Sequence, residues 1–487
     1  YPDINFITCP HTKSKISNKN LKINLDKLNY YLTVQKEQKI GSLICTLTEN
    51  SLSGIQLMLG IMYSGMIHVP LNLVAGEDQL AYIIEHSGSK ILFSTKSNVE
   101  LAKKIIKKSK CEIDLIEIDK DNFVNKLDNQ KKDLVRINKS RNCLLMYTSG
   151  TTGKPKGVML THHNVLSGGK NVMDSHQLTS SDIAMCVLPL YHINGLIVTV
   201  MGPLVSQSSL VLSEKFSATN FWKHIEKYNC TWFSIVPTII SSLLNKYSED
   251  KTVNYNLSSI RFGRSASAAL APETHKNFEK KFKIKLIETM GLTETCAPIL
   301  SNPLSPNQIK YGSPGIPYGN EVCIVNDKYE QVERNIIGQI CVRGKNVMRE
   351  YFKNPQETKK SFYKDWFLTG DLGLMDDENF IFVKGRIKEL IIKGGENISP
   401  REIDDILYQH PNILEAAAFG VACDHYGEKI EAGVVLKTKG ITSEEEILNH
   451  CKNLLGNFKS PSKIHFFKEL PKGSSGKIQR LKISELI

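Results

Sequence analysis

The chain has 487 residues, 41% of them hydrophobic and 23% charged. That composition excludes a disordered or fibrous protein and is enough for a large core. At about 100–200 residues per domain it predicts two to four domains or subdomains. The net charge of +12 is compatible with polyanionic small molecules, nucleic acid or a membrane surface as partner.

In chain order, the apolar run 53–65 ("SGIQLMLGIMYSG") has the length of a helix. "IHVPLN" and "KILFS" read as short buried strands with the helix "EDQLAYIIEHSG" between them. The densest basic run, 102–122, has acids behind it and no interleaved aromatics, so it reads as a solvated helix face and not as a nucleic-acid platform. The most apolar run, 195–212, is broken by Gly202, Pro203, Ser206, Gln207, Ser208 and Ser209; it predicts core helix and strand, not a transmembrane span. "NCTWFSIV" followed by "PTIISSLLNKY" is a strand and then a proline-initiated helix. Strands alternating with helices predict an α/β protein, with parallel-rich sheets flanked by helices in a large N-terminal domain.

After Gly385 the texture changes. "GRIKELIIKGGENISP" is strand-like with paired glycines. The helix "SPREIDDILYQHP" has Ser399 as N-cap and Pro400 in its first turn. Further strands and one charged helix complete a small α+β unit. The expected division is residues 1–386 and a mobile C-terminal domain, 387–487. No repeat is visible, which excludes a solenoid or propeller.

The 11 cysteines are scattered without a C-x-x-C pair, so neither a disulfide framework nor a zinc site is predicted. No signal peptide is recognised and "SELI" is not a peroxisomal address. The expected compartment is cytoplasmic. Because the chain begins with Tyr1, it reads as processed or partial.

The run 147–157, "YTSGTTGKPKG", can hardly pack in a core. Its glycines let backbone N–H groups approach an anion, and its hydroxyls and lysines add donors and charge. A polyphosphate is the natural ligand. The lysine follows Gly153, too soon after Gly150 for a Walker A loop.

That run, with "VMLTHHNV" behind it, resembles the phosphate loop of the adenylate-forming superfamily: acyl- and aryl-CoA synthetases, luciferases and nonribosomal-peptide adenylation domains. "LPLYHINGL", "MGLTET", "GSPGIPYGNEV", "GQICVRGKNVMREYFKNPQET", "WFLTGDLG", "GRIKELIIKGGENISP" and "PKGSSGKIQR" follow in the family's order. Within it, "RSASAALAP" and "ILSNPLSP" resemble oxalate–CoA ligase and related short-acid synthetases.

The resemblance implies ATP, Mg²⁺ and coenzyme A, or a phosphopantetheine thiol. It assigns Thr148, Ser149, Gly150, Thr151, Thr152, Gly153, Lys154 and Lys156 to the phosphates. Thr293 meets the α-phosphate and Glu294 the Mg²⁺. Ser267, Glu288, Thr289, Met290, Asp371 and Arg386 surround the nucleoside. Lys477 is the catalytic lysine, Lys388 the hinge, and Gly395 lines the thiol tunnel. His192, Asn194, Ser265 and Ala297 border the acid, with His192 close enough to the carboxylate to take part in catalysis. The small-molecule partners are a carboxylic acid and CoA, acting on a monomer or homodimer.

Three positions depart from the pattern. Met290 stands where an aromatic usually stacks on adenine; a thioether can still pack there. Ala297 and Asn194 stand where the oxalate branch carries histidines. Together with Pro298 and Ile299, Ala297 predicts a more apolar pocket, for a short-to-medium or aryl acid. No ionisable residue lies near "WFSIVPT", which disfavours an amino-acid substrate. The function implied is an acid–CoA ligase working through an acyl-adenylate. The alternatives are a carrier-protein ligase with the same chemistry and a non-catalytic basic binding protein on the same fold.

Overall fold

The computed structural model describes residues 2–134, 136–148, 154–247, 254–305, 308–438, 440, 442–473 and 477–487. Two sheets form the body of the large unit. A seven-stranded sheet runs Glu350–Tyr351, Lys156–Thr161, Asn142–Thr148, Ile67–Pro70, Leu43–Leu47, Ile91–Thr95, Asp114–Ile118. A nine-stranded sheet runs Ile316–Pro317, Ala297–Ser301, Leu286–Leu292, Phe262–Ser265, Trp232–Ile235, Ile183–Cys186, Ser209–Leu212, Asn5–Thr8, Lys15–Ser17. Their central strands are parallel and apolar, as strands covered on both faces must be, while Lys156–Thr161 and Ala297–Ser301 pair antiparallel with their neighbours. Leu144, Met146, Val158 and Leu160 of one sheet share a core with Ala184, Cys186, Trp232 and Phe262 of the other.

Local signals place the helices. Ser51 accepts from the Gly54 amide and starts Leu52–Tyr63, whose residues from Leu52 to Met62 are all buried. Pro237 opens Pro237–Lys246 directly behind the strand Trp232–Ile235. The basic run divides in two. Val99–Ser109 is the expected helix, with Ala102 and Ile105 buried and its lysines outward. Asp114–Ile118, read as part of that face, is instead an edge strand pairing with Ile91–Thr95.

A third sheet departs from the parallel expectation. Glu321–Val325, Gly338–Arg343, Trp366–Met375 and Ile381–Arg386 pair antiparallel throughout. Only the five-residue connection 376–380 between the last two is too short for a parallel crossover. From Ile391 onward a separate sheet forms from Glu396–Ile398, Ile391–Lys393, Gly427–Leu436, Ile413–Cys423 and Ile464–Phe466. The helices Pro400–Leu407 and Glu444–Lys459 share its core. Gly394 and Gly395 turn the first hairpin at φ +60° and +83°, backbone that side chains rarely adopt. Ser399 sits at the N-cap position but makes no capping bond; its hydroxyl donates instead to the Lys384 carbonyl. No described helix is long and apolar enough to cross a membrane.

Candidate active site between the two units

A cavity of about 220 Å³ lies where the small unit meets the large one. The large unit lines it with Ser267, Glu288, Thr289, Met290, Asp371 and Arg386, and the small one with Asp404, Tyr408, Lys477 and Arg480.

Sheet register builds one wall. Asp371 and Arg386 are direct cross-strand partners, and Arg386 Nε donates to Asp371 Oδ1 at 2.8 Å. Asp371 is 5% exposed. Burial raises its carboxyl above the usual range, against the pull of Arg386 and then Lys477. Lys477 Nζ lies 4.0 Å from Glu389 Oε1 and keeps 40% of its side-chain surface. Desolvation in the crevice, followed by repulsion from Arg386, pushes its ammonium below the usual lysine value; Glu389 and Asp371 oppose this. Arg480 joins Glu389 to Asp404 through contacts of 3.7 Å and 2.6 Å. Three cations and three carboxylates therefore face each other across the junction.

The strand Leu286–Leu292 supplies the next wall. Glu288 is buried and accepts from the Leu270 amide at 3.1 Å through Oε1. Its Oε2 and the Thr289 hydroxyl have no partner among the described residues. Burial raises the Glu288 carboxyl to about 7, with Arg401 pulling the other way. Met290 lines the cavity at half burial. Ser267 sits at φ +72°, a strained position for a non-glycine residue and one that concentrates at functional sites.

Thr293 and Glu294 lie on the turn leading to Ala297–Ser301. Tyr351 donates to Glu294 Oε1 at 2.8 Å, and Lys156 lies 5.2 Å from the Tyr351 ring centroid. One ring thus joins the far end of the glycine-rich loop to Glu294. Lys156 pairs with Glu357, a carboxylate that also feels Lys388. Thr148 is the cross-strand partner of Lys156. Lys154 is exposed, 5.6 Å from the Tyr82 ring centroid. Ser149, Gly150, Thr151, Thr152 and Gly153 lie outside the described residues.

Lys388 is exposed on the turn Ile387–Glu389, where the chain passes between the units. Gly395 has open space where a Cβ would project. His192 is half-buried with its ring 4.9 Å from that of Tyr191. Asn194 donates to the Ser267 hydroxyl at 3.0 Å and accepts from Ser234 and Arg264.

Two residues assigned to the acid pocket do not line this cavity. Ala297 is 3% exposed and belongs to the main core, with positive φ at Cys296 and at Ala297 itself. Pro298 and Ile299 are buried in the same strand. Ser265 is fully buried and does not line the cavity. Sequence reasoning missed Tyr351, Glu357 and Glu389, although all three lie in stretches that carry the resemblance. It also gave no role to Arg264, although that residue opens the quoted stretch "RSASAALAP".

This is the crevice of a nucleotide-using enzyme built from two units, with a cationic side chain presented by the smaller. The family model "AMP-binding enzyme" matches residues 1–352, and "AMP-binding enzyme C-terminal domain" matches residues 402–477. The chain belongs to the AMP-binding enzyme family, and it is an AMP-forming acid–CoA ligase that uses ATP and CoA. A sulfoacetate–CoA ligase of Cupriavidus necator is 41% identical over 91% of this chain and 87% of its own length. An oxalate–CoA ligase of Arabidopsis thaliana is 35% identical over 91% and 88%. The crystal structure of ATP-bound MatB from Rhodopseudomonas palustris superposes with a TM-score of 0.91 at 28% identity, covering 100% of this chain and 96% of that one.

Proposed function

We propose that residues 1–386 bind ATP and a short carboxylic acid, and that residues 387–487 present Lys477 to them and then turn about Lys388. The observation that carries this is the shared cavity, in which Lys477 meets the Asp371–Arg386 pair and Met290 across the junction. In the first half, a carboxylate oxygen attacks the α-phosphorus of ATP, the bond to the β-phosphate breaks and pyrophosphate leaves. Two anions must approach, so the chain has to supply cations where negative charge develops. Lys477 and Arg386 fill that role. Asp371 accepts from the ribose hydroxyls, Met290 packs on the base, and Thr293 donates to the α-phosphate. Thr148, Lys154 and the loop between them hold the β- and γ-phosphates, with Lys156 steadied by Glu357.

The donor set fits Mg²⁺. Glu294 is a hard oxygen ligand, engaged among the described residues at Oε1 by Tyr351, and Mg²⁺ is commonly held by one carboxylate plus substrate phosphates. Bound there, the ion would neutralise phosphate charge. In the second half the thiol sulfur attacks the acyl carbon, the bond to AMP breaks, and the thiol proton passes to solvent. The open space at Gly395 leaves a path for the pantetheine arm.

The acid is short, as are those named for the two curated relatives. His192 and Asn194 border it. Pyrophosphate release across a panel of carboxylic acids, with ATP and Mg²⁺ present, tests the proposal. Release that depends on a short acid is expected; no acid-dependent release sinks it.

A further inference from the structure

Cys323 and Cys341 stand directly opposite each other on the antiparallel strands Glu321–Val325 and Gly338–Arg343. Both are free thiols. They share a small apolar cluster with Val325, Trp366 and Leu368 on one face of that sheet, while Ile324, Ile340 and Val342 fill the other face. Directly opposed residues of an antiparallel pair have Cα atoms about 4.5–5.5 Å apart, inside the range of about 4.4–6.8 Å that a disulfide spans. A cross-strand bond therefore needs little backbone movement.

Their surroundings differ from those of the other thiols. Cys323 is 8% exposed and Cys341 1%, so Cys323 is the one a small oxidant reaches first. The neighbouring Cys341 thiol and then Arg343 hold the Cys323 thiol below its ordinary value, against burial and Glu321. Cys323 in turn pushes Cys341 up. A thiol held low beside a guanidinium is in the setting of a reactive cysteine. By contrast, burial pushes up the thiols of Cys45, Cys186, Cys230 and Cys296.

The strand that carries Cys341 also anchors a wall of the cavity. On its other side it pairs with Trp366–Met375, where Thr369, Gly370 and Asp371 stand opposite Ile340 alone. Gly370 takes φ +74°. The Thr369 hydroxyl donates to the Ile340 carbonyl at 2.8 Å and accepts from the Asp371 amide at 3.1 Å. Bulges re-aim side chains next to active sites, and this one holds Asp371 at the cavity. Its anchor, Ile340, is the residue before Cys341.

We propose that Cys323 and Cys341 form a reversible disulfide site, closed by a hydroperoxide and opened by a dithiol, whose closure weakens ATP binding. The Cys323 thiolate attacks a peroxide oxygen, the O–O bond breaks, and the hydroxide released takes a proton and leaves as water. The Cys341 sulfur then attacks the sulfenic sulfur, the S–S bond forms, the S–O bond breaks, and the Cys341 proton leaves with the hydroxyl as a second water. The thiols lose two electrons and the peroxide gains them. A dithiol reverses the change by exchange, becoming a disulfide as its protons pass to the cysteine sulfurs. Closing the sulfurs to about 2 Å draws Gly338–Arg343 toward Glu321–Val325 and away from the bulge. The effect on ATP rests on the reading of Asp371 as the ribose acceptor.

The test treats reduced wild type with hydrogen peroxide, removes the excess with catalase and alkylates the remaining thiols. Mass spectrometry reads the peptide linking Cys323 to Cys341, and calorimetry reads the Kd of ATP with Mg²⁺ present. The linked peptide should appear and the Kd should rise about tenfold. Dithiothreitol should restore the Kd to within about twofold of the untreated value. Cys323→Ser and Cys341→Ser should bind ATP as the reduced wild type does and should not respond to peroxide. Absence of the linked peptide, or a peroxide effect that persists in both variants, would overturn the proposal. Asp371→Asn in the reduced protein separates the remaining outcomes. If it weakens ATP binding while closure of the disulfide does not, the proposal alone is overturned. If it leaves the Kd unchanged, the ribose reading falls and the proposal with it.

Discussion

Replacing Glu288 with Gln should stabilise the protein at alkaline pH. Glu288 is 2% exposed, one of its oxygens has no partner among the described residues, and its carboxyl is raised from 4.5 to about 7. The folded state therefore holds a proton that the unfolded state has released. Stability falls as pH rises through the window from 4.5 to about 7, and the penalty is complete above it. At about 1.36 kcal/mol per pH unit that interval corresponds to about 3 kcal/mol. Glutamine keeps the acceptor for the Leu270 amide, matches the protonated carboxyl in shape and cannot ionise. Denaturant midpoints of wild type and Glu288→Gln should coincide at about pH 4.5 and separate by up to about 3 kcal/mol in favour of the variant at about pH 8.5. A difference that does not change with pH, or a variant less stable at high pH, would refute the reasoning.

Other outcomes follow from the same geometry. Tyr351→Phe removes the 2.8 Å bond to Glu294 and should raise the Mg²⁺ concentration for half-maximal rate about tenfold or more, read by Mg²⁺ titration. Gly395→Leu places a side chain in open space at φ +83°. It should leave adenylate formation, trapped with hydroxylamine, near wild type and slow thioester formation about tenfold or more.

The alternation of strands and helices was legible because buried parallel strands and capped helices leave periodic, short-range signals. Pro237 and the Gly394–Gly395 turn are examples. The chain order of the motifs also grouped Asp371, Met290 and Lys477, which line one cavity. What the sequence withheld depends on contacts distant along the chain. Tyr351 reaches Glu294 from 57 positions away, and Lys156 meets Glu357 across 201. No local pattern encodes such pairs. The positive φ values at Cys296 and Ala297 left no signal in the residue types themselves. The burial of Arg264 at 2% exposure is likewise a property of the assembled sheet.

The most direct test of the two-unit crevice is Lys477→Ala, assayed separately in each half of the reaction. Lys477 lies in the cavity with Asp371 and Arg386. Losing a charge stabiliser of this kind costs about 10²–10³ in rate. Acid-dependent pyrophosphate release should fall by that factor or more, while thioester formation from supplied acyl-adenylate should stay within about threefold of wild type. Equal loss in both halves would contradict the account.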